Sequence, residues 1–206
     1  MDLYEAIFKR RDIRKFRPDP LPQEALDRIL DAAHHAASVG FMQPWNFILV
    51  RDPGLRARIK DSFETQNRAA ARSYTGEQRR LYDSLKLEGI LESPLNVCVT
   101  CDRSRGGTVL GRHSIFDTDL FSTCCAVQNL WLAARAESIG VGWVSIVDND
   151  KLCEILAIPQ GVVPVAYLCL GYPENFPEEP MLETVGWRKR LPLNDLIFHD
   201  QYGKNA

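Results

Sequence analysis

A chain of 206 residues with 45% apolar and 25% charged side chains is long enough for one sizeable core and has an ordinary globular balance. A formal net charge of −2 and a pI near 6.1 exclude a general binder of nucleic acid or anionic membrane, and no apolar run reaches the roughly 18 residues a bilayer span needs. The opening MDLYEAIFKRRD lacks the charged-then-apolar order of a secretory leader, so the reading is a cytoplasmic protein with no nucleic-acid or membrane partner.

Residues 2–9 read as a short helix, and RRDIR, Arg10–Arg14, follows at once. Three guanidinium groups around one carboxylate allow two readings. One is a helix C-terminus whose arginines meet the negative end of the macrodipole, with Asp12 as local ion-pair partner. The other is a phosphate clamp, since arginine forks match phosphate oxygens, with Asp12 turned towards hydroxyl groups that need an acceptor. After Pro18, Pro20 and Pro22, apolar residues at Leu26, Ile29, Leu30, Ala33 and Ala37 predict a helix from Pro22 to about Ala37. His34 and His35 are adjacent on it and face different directions, so no shared metal site is expected.

SVGFMQPWNF, Ser38–Phe47, reads either as a plain helix-to-strand connection or as a ligand-lining loop. The mixture of Ser38, Met42, Gln43 and Trp45 suits a flat heteroaromatic ligand with apolar faces and a polar edge. WNFILVRD is the first strand, and residues 55–72 and 77–92 read as polar outer helices. LNVCVTCD is the second strand. Its CxxC, Cys98 and Cys101, points to opposite faces, which argues against metal or disulfide chemistry, and all six cysteines read as reduced and buried. RSRGGTVLGRHSIF is a loop that could cover something. DLFSTCCAVQNLWLAARAESIG is apolar nearly all round, which predicts a buried helix at the core or a subunit interface.

VGWVSIV reads as the third strand, with Ser145 inside it. No Gly-x-Ser-x-Gly surrounds Ser145, so it is not read as a hydrolase nucleophile. NDKLCEILAI is a helix capped by Asp148 or Asn149, and VVPVAYLCLGYP is the fourth strand. Residues 173–206 have little periodicity, but Trp187, Leu191, Leu193, Ile197 and Phe198 favour wrapping over another surface. RKRLPL, Arg188–Leu193, is on its own a solvated charge run. Neither the glycine-rich dinucleotide fingerprint nor a P-loop is present.

RRDIR, AAHHAASVGFMQPWNF, LKLEGI, CVTCDRSRGG, STCCAVQNLWLAARAESIGVGWVSI, VAYLCLGYPE and GWRKRLPLNDL occur in this order over nearly the whole chain. Together they resemble the nitroreductase-like FMN proteins and, among these, the flavin-destructase branch. The resemblance implies an α+β fold, three-layer α/β/α, with a mixed central sheet between helices. It implies a single FMN domain over 1–206, with 173–206 as a C-terminal extension that wraps the partner of a homodimer. Two FMN sites would lie at that interface.

Carried over by position, Arg10, Arg11, Asp12, Ile13 and Arg14 hold the phosphate and ribityl end. Ser38, Met42 and Gln43 line the flavin, Val144 and Ser145 lie beside the isoalloxazine, and Arg190 reaches the phosphate from the tail, with Lys86 a weaker candidate. No metal is implied. The implied activity is that of an oxidoreductase fragmenting reduced FMN with dioxygen into 5,6-dimethylbenzimidazole, the lower ligand of cobalamin, and a four-carbon sugar phosphate. Asp12 would be the base at a ribityl hydroxyl, kept ionised by the arginines, and Ser145 would act near the ring. NAD(P)H would enter through a separate flavin reductase. Asp12 stands where most of the broader family has serine, Ala37 stands where proline is expected, and HSIFDTD departs from the pattern. Two rival readings are an NAD(P)H-dependent FMN reductase of nitroaromatics or quinones and a non-catalytic flavin-binding protein.

Overall fold

The computed structural model describes residues 1–204. In chain order the elements are α1 (Leu3–Lys9), α2 (Gln23–His34), a 3-10 turn (Val39–Phe41), β1 (Trp45–Val50), α3 (Pro53–Ala71), α4 (Gly76–Ser84), β2 (Leu95–Asp102), α5 (Thr118–Ala136), β3 (Gly140–Val144), α6 (Asn149–Leu156) and β4 (Val162–Gly171), then α7 (Met181–Thr184) and a second 3-10 turn (Leu193–Leu196). Short carboxylates start several helices by accepting otherwise unpaired amide protons. Asp2 caps α1 through Glu5 N at 2.8 Å. Asp52 caps α3 through Leu55 N, with Pro53 in the first helical position. Asp148 caps α6, taking the N–H groups of Asp150 and Lys151.

The four strands form one sheet in the order β1-β2-β4-β3, and every ladder is antiparallel. The parallel contribution to an expected mixed sheet is a short bridge between Asp12 and Val141 at the β3 edge. Side chains alternate across the sheet. Leu95, Val97 and Val99 of β2 and Leu168 and Leu170 of β4 join α2 and α5 in one core. Cys98, Tyr167 and Cys169 face the other way, into a core built with Ile59 and Phe63 of α3 and Leu152 and Ile155 of α6. Three layers result. The CxxC is split as expected: Cys98 lies in the second core, whereas Cys101 meets Thr123 of α5. Burial pushes the Cys98 thiol up to about 12, so it stays protonated.

Several boundaries differ from the sequence reading. α2 stops at His34, where the Ala36 N–H turns back to Ala33 O. The helix predicted over 77–92 ends at Ser84, because the backbone beyond it is claimed by a tertiary contact. The buried Arg56 guanidinium donates to the carbonyls of Ile90, at 2.6 and 3.0 Å, and of Ser93. VGWVSIV pairs only to Val144, leaving Ser145 past the strand end. α5 is not buried all round: Phe121, Cys124 and Cys125 are exposed, so not all the cysteines are core residues. Among the described residues no helix is long and apolar enough to cross a membrane.

Met1–Phe176 forms one compact body, and a second small one begins at Pro177. The second is organised locally. The Trp187 N–H donates to Leu182 O at 2.9 Å, the rings of Phe198 and Tyr202 lie 4.6 Å apart, and Leu191, Leu193, Leu196 and Ile197 are exposed.

The feature that shapes the β3 edge is the approach of Asp12–Ile13. The Ile13 N–H donates to Val141 O at 2.9 Å. A Cβ on Gly142 would sit 2.0 Å from the Ile13 carbonyl oxygen, and one on Gly140 would sit 2.9 Å from Ile13 Cγ1. Gly142→Ala is expected to lower the thermal midpoint by several degrees in a melting experiment, since overpacking costs about 1–3 kcal/mol and each kcal/mol is worth roughly 2–4 °C at this chain length.

Candidate functional site

RRDIR lies between the end of α1 and the β3 edge, and its charged groups divide the work. Arg11 Nη1 donates to the carbonyls of Phe8 and Arg10, both at 2.8 Å, so it serves the last turn of α1 as a helix C-terminus requires. The Arg10 guanidinium stacks 4.6 Å above the Trp131 ring. Arg14 reaches over β3 at Gly142, where Nη2 donates to Trp143 O at 2.7 Å and pairs with Asp12 Oδ2. Its Nε and Nη1 are buried and find no hydrogen-bond partner among the described residues. Buried unsatisfied donors are costly, so these two mark a place where an acceptor from outside the chain belongs. Ile13 is a core residue, packed below the arm it helps to hold.

Asp12 is turned to the sheet. Oδ1 accepts from Trp143 N at 2.8 Å and Oδ2 faces Arg14. The side chain is 39% exposed, yet crowding around the carboxylate raises its pKa above the ordinary aspartate value. Burial outweighs the opposing pull of Arg14, the Trp143 amide and Arg10. This corrects the expectation that the arginines would lower it: they do attract the charge, but desolvation is the larger effect.

The second predicted group, Ser38–Gln43, is a strained loop. Phe41 and Gln43 have φ of +53° and +45°, a left-handed conformation that side chains with a Cβ adopt at a cost of about 1–2 kcal/mol each. Ser38 Oγ accepts the Gln43 N–H at 3.1 Å, and the Val39 N–H donates to Ser122 Oγ at 3.2 Å. Met42 is buried, Gln43 folds its amide back to Phe41 O, and Phe41 is 82% exposed. Met42 and Gln43, with His34, Trp45, Phe47 and Arg105, also border an open groove of about 630 Å³. Trp45 Nε1 donates to His34 Nδ1 at 3.2 Å across it, a bond that ties α2 to β1.

The remaining predicted residues are placed as follows. The Val144 side chain is in the second core, so its backbone is what it can offer a ligand. Ser145 is exposed just beyond the end of β3. Lys86 is taken by Glu92 at 2.6 Å. Arg190 is an exposed residue of the small C-terminal body.

One chain does not bring its two predicted groups together. RRDIR is bound near the C-terminal end of α5, by Trp131 Nε1 to Arg11 O and Arg135 Nε to Lys9 O, whereas the Ser38 loop is bound at Ser122. RRDIR flanks β3 and the loop feeds β1, the two outer strands of the sheet. Nine helical residues one way and three strand spacings the other put them on the order of 20 Å apart.

Sequence reasoning missed the arginines of segment 103–117. Asp119 is fully buried at the start of α5 and takes Arg112 Nη2 at 2.6 Å and Arg103 Nε at 3.1 Å, and the Phe116 ring lies under both guanidinium groups. Arg105 is bonded to the start of β1. Three arginines in a glycine-rich stretch were the available signal.

The nitroreductase family model matches residues 7–172, a span that holds RRDIR, the Ser38 loop and β3. The chain belongs to the nitroreductase family. It is 43% identical over 194 residues to a 5,6-dimethylbenzimidazole synthase of Rhodospirillum rubrum, covering 93% of this chain and 92% of that one. It is 41% identical over 191 residues to a protein of the same description from Rhodobacter capsulatus, covering 92% of each. Among solved structures, a BluB-like flavoprotein from Clostridium difficile 630 aligns over 98% of this chain and all of that one, with a TM-score of 0.72 at 19% identity, a likeness of fold. The α+β, nitroreductase-like fold expected from the sequence is the fold found.

The raised Asp12 pKa has a signed consequence. A carboxyl group whose folded pKa exceeds its unfolded value favours folding in its neutral form, so its contribution is present below the unfolded pKa and is lost as pH rises through the folded one. The carboxyl carbon of Asp12 should therefore titrate by NMR above the ordinary value, and Asp12→Asn should lack that part of the decline in thermal midpoint with rising pH.

Proposed function

We propose that this protein is a 5,6-dimethylbenzimidazole synthase, which converts reduced FMN and dioxygen into 5,6-dimethylbenzimidazole and a four-carbon sugar phosphate, with the rest of the flavin, its pyrimidine-ring portion, leaving as a separate fragment. The observation that carries this reading is the pair on β3: a carboxylate with a raised pKa beside a guanidinium with two buried donors that have no partner among the described residues. Relatives of that description at 43% and 41% identity support it. An ordinary flavin reductase, which moves electrons to an external acceptor, needs no base at the ribityl chain.

FMN fits the residues present. Arg14 Nε and Nη1 would donate to its acceptor atoms, and Arg10, Arg11 and, from the tail, Arg190 would serve the phosphate end. Reduced FMN supplies the oxygen-reactive ring and the carbon skeleton of the product, so the protein's part is binding, orientation and proton movement. Asp12 Oδ2 is the base that accepts a ribityl hydroxyl proton, and its raised pKa brings it closer to the working pH. Ser145, exposed where β3 ends, offers its hydroxyl at the ring, and the Val144 backbone lies alongside.

The Ser38 loop reaches such a flavin from a second copy of the chain. That assignment is supported by the separation of the two groups within one chain and by the exposed apolar surface around α1 and α5. Leu3, Tyr4, Phe8 and Phe121 are each more than half exposed on these two helices. In this homodimer the segment from 173 onward wraps the partner. A separate flavin reductase delivers reduced FMN using NAD(P)H, in a reducing cytoplasm that suits six unpaired cysteines.

The test is product analysis by chromatography after mixing protein and reduced FMN in air. Loss of FMN with appearance of dimethylbenzimidazole is expected, and intact FMN recovered in full would overturn the reading. Asp12→Asn should lower the yield rate by about 10²-fold or more, the usual scale for a general base. Ser145→Ala should lose product while still binding FMN, and full-rate turnover by either variant would remove that residue from the mechanism.

A further inference from the structure

Arg105 lies in the segment between β2 and α5, and nothing in the proposed chemistry uses it. Its Nη1 donates to the carbonyls of Gln43, at 2.9 Å, and Trp45, at 2.8 Å, and its Nη2 donates to Asn46 Oδ1 at 2.5 Å. Asp102 lies 3.7 Å away as a looser ion-pair partner. The two carbonyls flank Pro44, which has no N–H of its own to fix the turn. Gln43 is thus held from both sides: its amide proton goes to Ser38 Oγ and its carbonyl goes to Arg105.

That double hold falls on one of the two left-handed non-glycine residues of the loop, where a strained backbone persists only if its surroundings over-determine it. The rest of the segment reinforces the contact. A Cβ on Gly40 would meet Val109 Cγ1 at 2.6 Å and Leu110 O at 2.7 Å, so loop and segment pack without a gap. At the segment's base Arg103 and Arg112 are anchored on the buried Asp119. Lysine could not reproduce the hold, since a planar fork spans several fixed acceptors and an ammonium does not.

We propose that Arg105 is a positioning residue for the Ser38–Gln43 loop, its guanidinium fork fixing the Gln43 and Trp45 carbonyls so that the loop presents one defined surface to the isoalloxazine. This inference rests on the reading that the loop lines a flavin. It requires no chemistry at Arg105.

The experiment titrates oxidised FMN into the parent protein and into Arg105→Ala, Arg105→Lys and Asn46→Ala, recording the dissociation constant and the visible circular dichroism of the bound flavin. Aerobic turnover of reduced FMN is measured on the same samples. Arg105→Ala should bind FMN about tenfold more weakly with a changed visible spectrum, and Arg105→Lys should recover part of the loss. Asn46→Ala, which spares both carbonyl contacts, should stay within about twofold of the parent. If Arg105→Ala does not fold, Arg105→Lys carries the test, with an expected weakening of about threefold. Parent-like affinity and spectrum in both Arg105 variants would overturn the proposal, as would Asn46→Ala matching Arg105→Ala. A parent protein that binds FMN but returns it intact in air ends the synthase reading while leaving the Arg105 comparison valid. A parent that binds no FMN ends both.

Discussion

The close approach of Asp12 and Ile13 to β3 is the constraint on which the candidate site depends. Two glycines on alternate positions of one short strand, Gly140 and Gly142, leave room for a second backbone to lie on it. Once it lies there, the Ile13 amide and the Asp12 carboxylate complete hydrogen bonds with Val141 and Trp143, and Arg14 is committed to cross the strand. The burial that raises the Asp12 pKa and the burial that leaves two Arg14 donors without a partner among the described residues have the same origin. Charge alone would have scattered these side chains into water. Backbone proximity gathers them.

Much of this was legible in the sequence, for identifiable reasons. Strands such as LNVCVTCD and VVPVAYLCLG announce themselves by apolar runs with period-two sidedness, and Asp148 announces a helix start by its type and place. RRDIR stood out because its charge density contradicts a nearly neutral chain. The misreadings are equally specific. Residues 85–92 have helix-forming composition, but Arg56 of α3 claims the Ile90 carbonyl and, just past them, that of Ser93. Apolar residues all round α5 could not separate a core helix from one that meets another surface, hence the exposed Cys124 and Cys125. Counting arginines around Asp12 gave the sign of the Coulomb effect but not the larger desolvation. Arg105 carries no such signal, because a charged residue in a glycine-rich stretch has the look of a solvent-facing one.

The two groups the sequence nominated lie at opposite ends of α5 and at opposite margins of the sheet. Under the flavin reading this makes a single chain an incomplete enzyme. Under that reading the β3 edge holds the anionic, hydroxyl-bearing end of the ligand and the strained loop before β1 meets its ring.

The docked N-terminal segment also serves as a guard. β3 is an outer strand, and its exposed margin would otherwise offer the Val141 carbonyl and the Trp143 amide to whatever extended chain came by. Asp12 and Ile13 occupy those groups with one backbone contact and one side-chain contact, the second ending in a negative charge that extended strands avoid. Trimming the chain past residue 13 would therefore do more than remove arginines: it would bare a sticky sheet margin and favour self-association into aggregates.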